Sequence, residues 1–325
     1  MVDSPLVSVV IPTRGRPQLL VRAVTSALSQ TYTNLEVVVI VDGPDDETDR
    51  AVKQIEDPRV RAVILPVNVG GGEARNAGVL ESKGDWIAFL DDDDEWESSK
   101  LDKQILLAES LQDKNAFISC RLVEKLDNRS DIYPFRLPDP DESICSYVCC
   151  PRGFRVGGEI LQTSTLLVRR DLMIAVPFVR GLKRGQDFIW QIEAGTRGNA
   201  RFYVLPEVLS ILNSGSRTDT KRVSSKPNWR ALYACIQQKR ELFEPRAYAY
   251  CIGTRVLTDA QRAGEGPLVV VRLLIDLIRT GSASPKIVSL FLSLWILPDG
   301  ARNWIGRTVR AMKNGPNPEK GSDLS

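Results

Sequence analysis

Short β-branched and aliphatic runs alternate with stretches of helical spacing over the first third of the chain. Val7 to Ile11 (VSVVI) lacks strict alternation, which predicts a parallel strand buried on both faces, stopped by Pro12 and the polar turn TRGRP. From Pro17 to Gln30 the apolar positions Leu20, Val24, Ala27 and Leu28 recur at helical spacing, with Pro17 suited to a first turn. Leu35 to Val41 predicts a second strand closed by DGPDDET, then a helix over residues 46 to 55 and a third strand from Val60 to Leu65. The loop NVGGG leads into a helix from Glu73 to Ser82, and Trp86 to Leu90 is the fourth strand.

Strands alternating with helices predict a doubly wound α/β sheet, in which ligands bind outside the carboxyl ends of the strands. Three polar clusters follow strand ends: PTRGR after the first, DGPDDE after the second and DDDDE after the fourth. They are expected to converge on one crevice. The second half is less regular. Residues 122 to 157 predict a long loop or small excursion, and EILQTSTLLVRRDL a strand running into a short helix. GQDFIWQIEAG reads as a helix with Gln186 and Asp187 in its first turn, RFYVL and VLSIL as two strands, and the chain beyond Pro227 as helical.

Composition narrows the chemistry. The 325 residues are 43% hydrophobic and 26% charged, ordinary for a globular protein, and the net charge of +2 gives no general pull towards nucleic acid. The N-terminus shows no basic region followed by a long apolar core, and no apolar run reaches the roughly 20 residues that span a bilayer. The expectation is a cytoplasmic protein with no nucleic-acid partner. The six cysteines are irregularly spaced and read as reduced thiols, and the CxxxCC cluster (Cys145, Cys149, Cys150) lacks the paired spacing of structural zinc sites. The chain has no histidine, which excludes Ser-His-Asp triads and every histidine-ligated metal. A general base must be Asp, Glu, Lys, Tyr or Cys, and a hard metal must sit on oxygen.

The stretch WIAFLDDDDEW drives a buried strand into four consecutive aspartates, Asp91 to Asp94. An arbitrary acidic run is a solvated loop. At the ligand edge of a parallel sheet, however, its self-repulsion costs stability unless a cation offsets it. Closely placed carboxylates suit magnesium or manganese, which keep several waters and share substrate phosphates.

VSVVIPTRGRPQLLVRAVTSALSQTYTNLEVVVIVDG, GGGEARNAGV and WIAFLDDDDEWESSKLDKQI, in this order, resemble family 2 glycosyltransferases of the GT-A fold. The resemblance is dense over residues 6 to 115 and thins to islands at 158–172 and 183–213. It implies a mostly parallel mixed sheet with a Rossmann-like nucleotide-binding half, residues 1–115, an acceptor half at 116–226, and a helical C-terminal region at 227–325 with a disordered tail. It further implies inverting transfer from a nucleoside-diphosphate sugar, a UDP-sugar first, to a saccharide or lipid-linked saccharide in polysaccharide synthesis. By the same resemblance Asp42 would contact the base, Pro12 and Thr13 the base or ribose, and Arg75 a phosphate or ribose. Asp91 or Asp92 would meet the ribose or a metal-bound water, Asp93 with Asp91 would hold Mn2+ or Mg2+, and Asp94 would cap the loop. GQDFIW matches the family's acidic pair, which makes Asp187 the base, although Gln186 replaces the first acid. Asn213 stands where relatives often have a metal-assisting histidine.

Other readings are weaker. A GxGxxG motif starting at Gly70 would need glycine at Arg75, and no GxxxxGK[ST] occurs. A sugar-nucleotide pyrophosphorylase or a non-catalytic partner with this fold remain as alternatives, the second opposed by the intact Asp42, Asp93 and Asp187. Near the C-terminus, ARNWIGRTVRAMK sets Trp304, Ile305, Thr308, Val309 and Met312 against Arg302, Arg307, Arg310 and Lys313. This pattern predicts either a helix lying peripherally on the inner face of the cytoplasmic membrane or one packed on the protein.

Overall fold

The computed structural model describes residues 4–296 apart from 112, 114, 128, 151–157, 160 and 214–227. β1 (Val7–Thr13) lies between β2 (Leu35–Val41) and β4 (Trp86–Phe89), parallel to both, and β3 (Val60–Ile64) pairs in parallel outside β2. Every residue of β1 is buried, as an unalternating run requires. Val7, Val9 and Ile11 join Val37 and Val39 on the face covered by α1 (Pro17–Leu28) and α4 (Lys100–Leu111). Val10, Val38, Ile40 and Phe89 pack on the other face, with α3 (Gly71–Glu81) and α7 (Gln186–Thr196). A Cβ at Gly78 would stand 2.3 Å from Val10 Cγ1, so α3 reaches β1 this closely only because that position has no side chain.

Beyond β4 the sheet becomes mixed. β8 (Leu167–Arg169) is antiparallel to β4, and β6 (Ala116–Leu126) is antiparallel to β8. β9 (Arg201–Asn213) runs parallel to β6 and carries β5 (Glu95–Trp96), while β7 (Arg129–Tyr133) forms a hairpin with β6. The resulting order is β3-β2-β1-β4-β8-β6-β9-β5. The strand order turns about β1, so the carboxyl ends of β1, β2 and β4 open on the crevice expected at such a reversal.

Three details differ from the pattern-based expectation. Pro12 does not stop β1. Val10 O accepts from Leu90 N at 3.1 Å and Thr13 O from Asp42 N at 2.9 Å. Alternation therefore aims the missing Pro12 N–H at the β4 side, where β4 has ended at Phe89. RFYVL and VLSIL form one strand, because register shifts against β6 near Arg121 absorb Pro206 as an irregularity instead of a break. The 122–157 excursion contains the β6–β7 hairpin and α5 (Ile144–Cys149).

After α2 (Asp46–Lys53) and α6 (Arg170–Ala175) in the α/β part come the C-terminal helices. These are α8 (Trp229–Gln238), α9 (Pro245–Cys251), α10 (Leu257–Arg262), α11 (Pro267–Arg279) and α12 (Pro285–Ile296). A π-helical turn, Ile252–Val256, joins α9 to α10. Buried residues of α8 to α12 belong to the same apolar cluster as α5 and α7. All six cysteines are buried and unbridged. Among the described residues no helix is long and apolar enough to cross a membrane. The basic segment 301–313 and the tail after it lie outside the described residues.

Candidate active site

Leaving β4, the four aspartates alternate in direction. Asp92 and Asp94 turn inward at 1% and 0% exposure, while the side chains of Asp91 and Asp93 keep 23% and 20%. Each inward carboxylate is met by the protein. Thr13 Oγ1 donates to Asp92 Oδ2 at 2.7 Å, and Arg16 Nη2 lies 2.6 Å from Asp92 Oδ1. Burial pushes Asp92 up to about 6, against the pull of Arg16 and Thr13. Asp94 Oδ2 accepts from Ser164 Oγ at 2.7 Å and Gln162 Nε2 at 3.0 Å, and burial pushes this carboxyl well above its ordinary range.

The outward pair faces the crevice. Asp91 is paired with Arg75 and accepts from Gln162 Nε2 at 3.0 Å. Asp93 Oδ2 lies 3.1 Å from Arg16 Nη1. Asn213 Nδ2 donates to Asp93 O at 3.3 Å and to Glu95 Oε1 at 3.0 Å, so the residue standing in the histidine position does border the outward acid. Arg22 Nε holds Glu95 at 3.0 Å.

Behind this edge lie four of the expected donor contacts, Pro12, Thr13, Asp42 and Asp92, each with partners or burial in the protein. Thr13 Oγ1 is engaged by Asp92, whose buried charge is also met by Arg16. Pro12 is buried. Asp42 accepts from Val69 N at 2.7 Å, Asn68 Nδ2 at 2.6 Å and Gly70 N at 3.0 Å. It therefore fixes the loop that starts α3. Gly70, at φ 90°, is the residue from which that helix begins.

Asp187 opens α7, its Oδ1 accepting from Phe188 N at 2.8 Å. The starts of α3 and α7 face each other: a Cβ on Gly72 would sit 3.5 Å from Gln186 Cγ, and one on Gly71 3.7 Å from Gln186 Nε2. Burial raises the Asp187 carboxyl above its ordinary range. The Phe188 N–H, Arg255 and Arg75 pull it back, and Asp91 adds to the rise. Asp187, Arg75 and Asp91 thus share one electrostatic neighbourhood. Glu193, the other acid of this helix, is buried and tied to Lys239 Nζ at 2.6 Å, and Asp171 is exposed in the first turn of α6.

Sequence reading missed Arg16, Gln162, Ser164 and Arg255. The first had a signal, since the basic pair in TRGRP closes a strand adjacent to the one ending in acids. QTST also had one, as a polar quartet leading into the apolar β8 run. Arg255 had none.

Among the described residues no group of three acidic or cysteine side chains is arranged to hold a metal. The outward pair Asp91 and Asp93 supplies hard oxygen donors with no nitrogen or sulfur. That set fits magnesium or manganese, which need one or two carboxylates when phosphate oxygens complete the shell.

Residues 8–143 match the family model Glycosyl transferase family 2. This stretch is similar to family 2 glycosyltransferase domains. The chain spans between 39% and 42% of the length of the first curated relatives it matches, at 33% to 36% identity. The amylovoran biosynthesis glycosyltransferase AmsB of Erwinia amylovora is 26% identical over 254 residues, covering 74% of this chain and 82% of the relative. In structure, Staphylococcus aureus TarS in complex with UDP-GlcNAc superposes with a TM-score of 0.61 at 16% identity, over 94% of this chain and 92% of that one. The mannosyltransferase PcManGT from Pyrobaculum calidifontis, in complex with GDP-Man and Mn2+, gives 0.60 at 16%, over 96% and 86%. The described residues therefore share the GT-A fold of these structures.

Proposed function

We propose that the protein transfers a sugar, with inversion, from a nucleoside-diphosphate sugar to an acceptor hydroxyl in bacterial polysaccharide or glycoconjugate synthesis. The observation that carries this reading is the convergence, at one sheet edge, of the outward carboxylates Asp91 and Asp93 with Arg75 and the helix-start acid Asp187. UDP-GlcNAc in one structural neighbour and GDP-Man with Mn2+ in another support a nucleotide-sugar donor and a divalent ion.

In this reading Asp93 and Asp91 hold Mn2+ or Mg2+, which when bound offsets the diphosphate charge. Arg75 orients Asp91 and adds positive charge beside it. Asp42 shapes the loop at the base pocket, with Pro12 and Thr13 forming its floor and Asp92 bracing Thr13 from behind. Asp187 takes the acceptor proton as the hydroxyl attacks. Burial keeps its basicity high, while the Phe188 amide and neighbouring arginines favour the ionised form. The acceptor is a saccharide or lipid-linked saccharide, met on the cytoplasmic side of a membrane. A panel of UDP-, GDP- and dTDP-sugars, assayed for nucleoside-diphosphate release, tests the reading. Release from one donor that stops with EDTA is expected; no release from any donor with Mn2+ or Mg2+ contradicts it.

A further inference from the structure

Three cations at the acidic edge are already committed. Arg16 holds Asp92 and Asp93, Arg22 holds Glu95, and Arg75 holds Asp91. In the C-terminal helices, Arg230 meets Glu265 and Arg262 meets Asp259, which Arg184 also holds. Arg255 differs. It sits in the middle of the π-helical turn, half-buried, with Ile252, Gly253, Thr254 and Val256 all buried around it. Its guanidinium carbon lies 4.1 Å from the centroid of the Phe188 ring. Among the described residues it makes no hydrogen bond and no ion pair.

A half-buried guanidinium resting only on an aromatic ring keeps its N–H donors unused, in the fork geometry that suits phosphoryl oxygens. A π-turn inside a helix is a costly local irregularity that is frequent at functional sites. This one displaces the helix where Arg255 reaches the start of α7. Phe188 directly follows Asp187, and the Arg255 charge helps to hold the Asp187 carboxyl down. The cation is therefore delivered to the start of α7 by a part of the chain that carries none of the family motifs.

We propose that Arg255 binds a phosphoryl group of a substrate beside Asp187, so that the C-terminal helices complete the active site. The inference rests on the glycosyl-transfer reading. Two sources share this chemistry: the donor's diphosphate and a phosphate borne by the acceptor. Arg255→Met keeps the packing on Phe188 and removes the charge, and Arg255→Lys keeps the charge without the fork. Melting curves for both variants close to wild type establish that the fold is intact.

Calorimetry on the full chain in Mn2+ then compares the nucleoside diphosphate selected by the donor panel with its parent nucleoside. A donor contact predicts a loss of at least about tenfold in diphosphate affinity for Arg255→Met, partly restored by lysine, with nucleoside binding unchanged. An acceptor contact predicts unchanged diphosphate affinity and a similar loss for glycerol phosphate on the nucleotide-loaded protein. Wild-type affinities in both arms would overturn the proposal. If wild type binds no nucleoside diphosphate, the glycosyl-transfer reading fails instead, and inorganic pyrophosphate binding by wild type against Arg255→Met decides on Arg255 alone.

Discussion

Asp93 and Asp94 are adjacent and chemically identical, and the fold gives them opposite work. Asp93 faces the crevice with an arginine at 3.1 Å, whereas Asp94 is sealed under the loop by Ser164 and Gln162. The sequence shows four acids and cannot show which way each turns, because that depends on Gln162, Ser164 and Arg16 arriving from distant parts of the chain. Three substitutions separate the roles. Asp93→Asn is expected to abolish turnover and weaken metal-dependent nucleoside-diphosphate binding while leaving thermal unfolding unchanged. Asp94→Leu is expected to lower stability by about 1–3 kcal/mol, since it strips a buried acceptor from two donors. Asp94→Asn, which keeps an acceptor oxygen, should lose far less. Denaturant melts of the three variants check this ordering, and an Asp93→Asn protein that turns over normally would remove the metal role.

Elements were more legible than side chains. The first four strands were readable to within a residue or two because each is an apolar run buried on both faces and fenced by turn residues. Pro12 and Pro206 misled the reading, since proline marks a strand end only where the missing N–H is needed. α7 was legible from GQDFIW, but its meeting with the C-terminal π-turn was not. At this scale α11 poses its own question. It buries Val270, Leu273 and Leu277, yet a second stripe of Leu268, Val271, Ile275 and Ile278 stays exposed, beside exposed Arg272 and Arg279. Its one acid, Asp276, accepts from the Tyr248 hydroxyl. An apolar stripe edged by cations suits an anionic bilayer surface. The full chain should float with vesicles containing phosphatidylglycerol and not with neutral ones, and Leu268→Glu with Ile278→Glu should abolish flotation. Equal flotation of the double variant would leave the stripe without this role.

Across the whole molecule, the acidic edge stands on an unusual foundation. Lys100 is fully buried beneath it, 4.0 Å from the Trp96 ring centroid, with its ammonium donating to Gln104 Oε1 at 2.7 Å. Burial depresses it to about 8. Below that pH the folded state carries the full cost of a buried charge. Between about 8 and the unfolded value near 10.4 the unfolded chain binds more protons, so stability should rise with pH. The wild-type minus Lys100→Met difference in unfolding free energy should increase over this window, and a flat difference would contradict the assignment. The larger claim is that sheet edge, α7 and the C-terminal helices form one catalytic unit with Asp187 as its base. Its most direct test is turnover by Asp187→Asn at saturating donor, with nucleoside-diphosphate affinity measured alongside. Asn keeps a side-chain oxygen for the Phe188 amide, so the fold and the affinity should survive while turnover falls by about 100-fold or more. Turnover within a few-fold of wild type would contradict the account.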